Sequence, residues 1–179
     1  MELIAVILTL ICVILTIKSN ILCWPFSIIS SIAYMYVFGI QHIYFQFIVQ
    51  IIFIIQSIHG WYYWYRVKDL RIEDDSVTNL IIHLYWVFGL TVITLSFTYG
   101  KTDNPVLILD ILTTLLSLLG TWYLAVRNIF AWLVWVIADI FFCLMFIKQD
   151  MYWSFGLYFL LTILALKGFI QWQKLLKTA

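Results

Sequence analysis

Two tryptophans and a carboxylate share one helix face in this sequence. Asn128, Trp132, Trp135 and Asp139 follow one another at spacings of four, three and four within an apolar run, which aligns them on a single stripe of a helix. Indole faces attract cations and stack on flat rings, and a carboxylate adds charge complementarity. The stripe therefore suits a flat ligand that is cationic or polar. A packing reading stands beside it: the indoles fill a helix bundle and Asp139 accepts hydrogen bonds from neighbouring helices. An ionisable group deep in an apolar segment costs about 2.5–3.5 kcal/mol on insertion scales, so Asp139 calls for an explanation on either reading.

Other segments carry polar faces of the same kind. Gln46, Gln50, Phe53, Ser57 and Gly60 repeat the spacing, and so do Ser154, Tyr158, Leu161, Ala165 and Gly168. One face offers amides and the other a phenol. Asp110, Thr114, Ser117 and Thr121 align on a third helix, with Asp110 near its boundary, where a vestibule or capping role fits better than ligand contact. Asn20, Trp24, Ser27 and Ser31 form a lighter version of the Asn128–Asp139 stripe. Gln56 falls about a third of a turn off the Gln46–Gly60 face and reads as an interhelical hydrogen-bonding group. Gly60 and Gly168 read as points of close helix contact. Pro25 either sets the start of a helix or leaves a bend.

Several chemistries find no support. His42, His59 and His83 are scattered, with no second His or carboxylate at ligand spacing, so no metal is expected. Gly-x-Ser-x-Gly, His-Glu-x-x-His and Gly-rich phosphate loops do not occur. The polar residues form a stacking stripe rather than an acid–base cluster, so neither an enzyme nor a cofactor is expected. Cys12, Cys23 and Cys143 stand alone and read as packing residues. A net charge of +1, with no basic cluster beyond Arg66, Lys68 and Arg71, argues against a nucleic-acid partner.

The elements that must position these residues are membrane helices. Of the 179 residues, 65% are hydrophobic and 11% charged, against about 45–50% and about 25% in soluble domains. The mean hydropathy is +1.04. Apolar runs fall at about 3–17, 21–40, 43–64, 80–99, 106–126, 129–147 and 152–172, each near the length a bilayer crossing needs. Their residues do not alternate as strands of a barrel would. The first run has no basic stretch before it and no cleavage site after it, so it is expected to be a retained helix. With the N-terminus outside, Lys18, Arg66, Lys68, Arg71, Arg127, Lys174 and Lys177 lie inside and only Lys101 and Lys148 outside. The positive-inside rule thus predicts an external N-terminus and a cytoplasmic C-terminus. Trp61 to Tyr65 read as an interfacial aromatic belt.

Sliding the chain by 108 residues places Asn20 on Asn128, Trp24 on Trp132, Gln41 on Gln149, Tyr44 on Tyr152, Gly60 on Gly168 and Trp64 on Trp172, without gaps. Glu2 falls on Asp110 in the same register. The sequence therefore predicts two parallel three-helix repeats, 1–65 and 106–179, joined by a loop and connector helix in 66–105. Parallel repeats about an axis normal to the membrane are a transporter plan, with solute held between the halves.

Trp132-Leu-Val-Trp135-Val-Ile-Ala-Asp139 resembles the WxxWxxx(N/D) signature of the Pnu vitamin transporters. Tyr44 with Gln50, the run Gly60-Trp61-Tyr62-Tyr63-Trp64, Asp110, and Gly168 followed by Trp172 are similar to further parts of that family, so the resemblance covers nearly the whole chain. It implies a 3+1+3 helix bundle shaped like the SWEET sugar transporters, in the bacterial inner membrane. It further implies facilitated diffusion of an unphosphorylated vitamin, trapping by a cytoplasmic kinase, and a homotrimer. The family's site carries over to Trp132, Trp135, Asp139, Gln50 and Tyr158. Together with the faces above, the candidate set also holds Asn128, Gln46, Trp24 and Ser57. Two positions depart from the riboside-transporting pattern: Asp139 and Ser57 stand where Asn is common. A carboxylate suits the pyridinium of nicotinamide riboside or the thiazolium of thiamine, and argues mildly against uncharged riboflavin. A membrane scaffold without transport is the alternative from another class.

Overall fold

The structure is a computed structural model that describes residues 2–40, 42–67, 72–74, 76–98 and 106–178. Gln41, Lys68, Arg71 and the segment 100–105 with Lys101, which figured in the repeat and the charge pattern, lie outside the described residues. Seven helices are present among the rest: α1 (Glu2–Ile17), α2 (Cys23–Ile40), α3 (Tyr44–Arg66), α4 (Val77–Thr98), α5 (Leu107–Ala125), α6 (Phe130–Lys148) and α7 (Tyr152–Thr178). They coincide with the seven apolar runs to within a few residues at most boundaries. Helices α2, α4, α5, α6 and α7 are long and apolar enough to cross a bilayer, while α1 is apolar but shorter. In hydrocarbon every backbone group must find its partner inside the chain, and a helix meets that demand within one segment.

Four of the joints share one local device. The amide of Ser19 donates to Thr16 O and that of Asn20 to Leu15 O, and the same pair of bonds closes α2 at His42 and Ile43, α5 at Arg127 and Asn128, and α6 at Asp150 and Met151. This is the Schellman termination, which needs a left-handed residue after the helix. Ser19, His42, Arg127 and Asp150 supply it at φ of 53–59°. None of the four is glycine, so each joint holds a costlier conformer than its type prefers. Ser19 and Arg127 are 108 residues apart, as are His42 and Asp150. Pro25 falls in the first turn of α2, the position where a missing amide hydrogen costs least, so its role is to start the helix.

Packing arranges six helices in a closed ring. Helix α2 lies between α1 and α3, α6 lies between α5 and α7, and the two groups meet where α3 packs on α5 and α7 on α1. Helix α4 stands outside the ring against α5 and buries only the stripe Leu80, Val87 and Thr91. The burial pattern inverts that of a soluble protein. Ile, Phe and Trp side chains such as Ile48, Ile55, Trp86, Phe88 and Phe97 are exposed, whereas Gln50, Ser57, Asn128 and Asp139 are buried. Apolar exposure on this scale marks a surface made for lipid.

Side chains lock the two groups together. Gln56 Nε2 on α3 donates to Leu118 O on α5 at 3.1 Å, the interhelical role its off-face position predicts. Trp64, by contrast, is not part of an interfacial belt. Trp61, Tyr62 and Tyr65 are exposed, but Trp64 turns inward and is buried, because its Nε1 donates to Leu124 O and Ala125 O at the end of α5.

Candidate functional site

A cavity of about 580 Å³ runs through the middle of the ring, within the size range of small-molecule sites. All six ring helices contribute to it. From α6 come Trp132, Trp135 and Asp139, from α3 Gln46 and Gln50, from α7 Tyr158, and from α2 Trp24. Residues scattered over four helices in the sequence are thus brought to one wall-to-wall space. Asn128 and Ser57 are not on its surface. Asn128 caps α6, its Oδ1 accepting the amide of Phe130 at 2.9 Å, as Asn20 does for Leu22 at the start of α2. Ser57 is fully buried behind Ser27 and shares a 2.9 Å hydrogen bond with its hydroxyl.

Small residues shape the tryptophans. A Cβ on Gly168 would overlap the ring of Trp132, one on Gly60 would overlap Trp24, and one on Gly120 would come within 2.8 Å of Trp135 Nε1. These glycines are therefore seats for indole rings rather than places where two helix backbones touch. Tyr158 is held by tilted ring contacts with Phe142 and Phe146, with ring centroids 4.3 and 5.2 Å apart.

The chemistry of the wall is biased toward acceptors. Thr16, Ser117 and Thr121 line the cavity, and each donates its hydroxyl hydrogen to a carbonyl four residues earlier, leaving oxygen lone pairs for a ligand. Asp110 and Asp139 are the charged residues among the described lining groups; no Lys, Arg or His joins them. Gln46 Nε2 donates to Asp110 Oδ1 at 3.3 Å, so Asp110 is a wall residue held in place, in keeping with a vestibule role. Asp139 is buried, and its Oδ1 has no hydrogen-bond partner; neither have Trp24 Nε1, Trp132 Nε1 and Trp135 Nε1. One acceptor and three donors on residues that line the cavity are thus buried without partners in the chain, and leaving polar groups unpaired costs free energy.

The two ends of the cavity differ. Ile43, Gln149 and Met151 rim one end and are exposed. At the other, Thr16, Cys23, Trp24 and Trp132 are buried. Arg127, in the α5–α6 joint outside the membrane spans, sits beyond that closed end with its guanidinium carbon 4.5 Å over Trp64 and 5.9 Å over Trp172. Burial pushes its pKa down, yet a guanidinium keeps its proton. Sequence reading missed Arg127, Tyr34, Ser30 and Thr9. The signal for Arg127 was its place in the joint one residue before Asn128, where a charge reads as a solvated turn.

Apolar exterior, polar interior and a central cavity between helix groups define a polytopic membrane protein built around a solute site. The chain belongs to the nicotinamide mononucleotide transporter family, whose model matches residues 1–174. In fold it is similar to the vitamin B3 transporter PnuC, with a TM-score of 0.78 and 16% identity over 99% of this chain and 82% of that one. No curated protein matches it in sequence. Family and structural neighbour are transporters, not enzymes.

Proposed function

We propose that the chain is a facilitated-diffusion transporter of an unphosphorylated vitamin, with nicotinamide riboside as the best-fitting substrate and thiamine as the alternative within the same family. The observation that carries this reading is the single cavity lined by Trp132, Trp135 and Asp139 together with Gln50 and Tyr158. A cationic ring stacked on indole gains cation–π and dispersion energy, and the carboxylate neutralises its charge. Ribose hydroxyls have donors and acceptors to meet in the amides and in the lone pairs of Ser117 and Thr121. The family's description names a mononucleotide, but two carboxylates and no cation on the described wall would repel a phosphate. Charge thus favours the riboside, and it argues mildly against riboflavin, whose uncharged ring offers the carboxylate no cation to pair with.

Two parallel three-helix repeats, 1–65 and 106–179, joined through 66–105 with α4, are the architecture proposed for this task. The recurrence of helix ends, left-handed residues, glycine seats and asparagine caps at a spacing of 108 supports it. The N-terminus is proposed to lie outside and the C-terminus in the cytoplasm, since Lys18, Arg66, Arg127, Lys174 and Lys177 gather at one end of the helices. On the family resemblance the protein works as a homotrimer in the bacterial inner membrane, coupled to a cytoplasmic kinase that traps the vitamin.

Titration of the purified protein with nicotinamide riboside, nicotinamide mononucleotide, thiamine and riboflavin, followed by tryptophan fluorescence, tests the reading. The riboside is expected to quench and the mononucleotide to do so far less. No response to any of the four would sink the proposal. Uptake of labelled vitamin into liposomes separates a transporter, which equilibrates the solute across the membrane, from a scaffold, which admits none.

A further inference from the structure

Four indoles close one end of the cavity. Trp24 and Trp64 meet edge to face with ring centroids 5.4 Å apart at 90°, Trp132 and Trp172 repeat the same 5.4 Å and 90° contact, and Trp64 and Trp172 touch at 6.2 Å to join the two pairs. All four are buried, Trp172 completely. Two of their N–H groups bridge the two helix groups where they adjoin. Trp64 Nε1 on α3 donates to Leu124 O and Ala125 O at the end of α5, and Trp172 Nε1 on α7 donates to Thr16 O at the end of α1. Each bond therefore ties the last helix of one group to the first helix of the other, at the same end. Arg127 lies over both acceptor-bonded indoles, and its Nε and Nη1 have no hydrogen-bond partner. The segment after α3 pins this joint: Glu73 N donates to Arg127 O, and Ile129 N donates to Glu73 O.

We infer that Trp24, Trp64, Trp132, Trp172 and Arg127 form the shut gate at the joint end of the cavity, and that opening it breaks the crossed Trp64 and Trp172 indole–carbonyl bonds. The inference rests on the transporter reading, because only a molecule that alternates access needs this end to open. The physical grounds are local. A solute leaving toward the joints must pass between the two T-shaped pairs, and the indole links that resist that separation are the Trp64 and Trp172 N–H to carbonyl bonds and the stacked guanidinium, with the Glu73 backbone bonds beside them. Each is weak enough to break in a conformational step and together they hold the end dry. The glycine seats at Gly60 and Gly168 let Trp24 and Trp132 stay with their own helix pairs as the halves part.

Cys23 offers a built-in reporter, as it precedes Trp24, lines the cavity and is 1% exposed. In a chain with Cys12→Ser and Cys143→Ser, a membrane-impermeant maleimide applied from each side of oriented vesicles reads which end is open. Replacing both Trp64 and Trp172 by Phe keeps an aromatic ring at each position and removes the two N–H donors. Labelling of Cys23 from the Arg127 side is expected to rise on the order of tenfold, the effect of losing two hydrogen bonds of ordinary net strength, with no rise from the opposite side. Arg127→Lys, which keeps the charge but loses the planar stack, is expected to raise it in the same direction, and serves if the double variant melts early. Unchanged labelling from the Arg127 side in variants with the parent's thermal midpoint would show the cluster to be packing and overturn the gate. Labelling needs no substrate, so a vitamin response with unchanged labelling removes the gate alone, and faster labelling without any vitamin response removes the substrate reading alone.

Discussion

Asp139 places a carboxylate among indoles, two turns into α6, with one oxygen lacking a partner in the chain. If that oxygen faces a cationic ring during transport, Asp139→Asn should weaken binding of nicotinamide riboside by about 1–3 kcal/mol, the worth of a charge-assisted hydrogen bond. Binding of an uncharged analogue should change far less, and calorimetric titration of both ligands reads the difference. Equal affinities for the cation before and after the change would assign Asp139 to packing. At this scale the sequence was most informative where spacing alone fixes a face: Trp132, Trp135 and Asp139 stayed together because a helix cannot separate them. It was least informative where a side chain's own short-range option wins. Asn128 shares the stripe but spends its oxygen on the amide of Phe130, since a helix start leaves amides without partners. Ser57 likewise turns to Ser27 of the adjacent helix.

Elements meet through glycine and tryptophan. Gly60→Ala and Gly168→Ala would each drive a methyl into an indole ring and are expected to destabilise by about 1–3 kcal/mol, the range for overpacking. Gly89 and Gly156 also lie in helices, yet a Cβ there meets nothing within 4 Å. Their replacement by Ala should be neutral or stabilising by up to about 1 kcal/mol through helix propensity and the unfolded chain. Thermal midpoints in detergent of the four single variants check the contrast. All four glycines look alike as glycines in apolar runs, and only the ring above two of them sets them apart. Helix existence, by contrast, was legible from runs of apolar residues of crossing length. The joints were legible only in part, because Ser19, His42, Arg127 and Asp150 take left-handed conformations that those residue types do not advertise.

The whole molecule is a ring whose exposed face is apolar and whose centre is polar. Its proposed sidedness is testable: a reporter fused after Ala179 should respond only in the cytoplasm, and one placed before Met1 only outside. Reporter activity on the opposite sides would reverse the orientation and, with it, the side from which the gate opens. Transport without an energy source should also only equilibrate, so vesicles loaded with a vitamin kinase and ATP are expected to accumulate label severalfold over empty ones, whereas accumulation without them would require ion coupling. The sequence by itself determined that the chain is helical and apolar outward, because a bilayer leaves helices as the only way to satisfy the backbone of twenty-residue apolar runs. It also determined which residues share a helix face, since that follows from 3.6 residues per turn. Tertiary structure alone decided which faces look at one another, that α3 meets α5 and α7 meets α1 around a cavity, and that Trp64 and Trp172 turn inward to cross-bond the two groups. Those outcomes depend on contacts between residues as far apart as Thr16 and Trp172, and no local periodicity carries information over that distance.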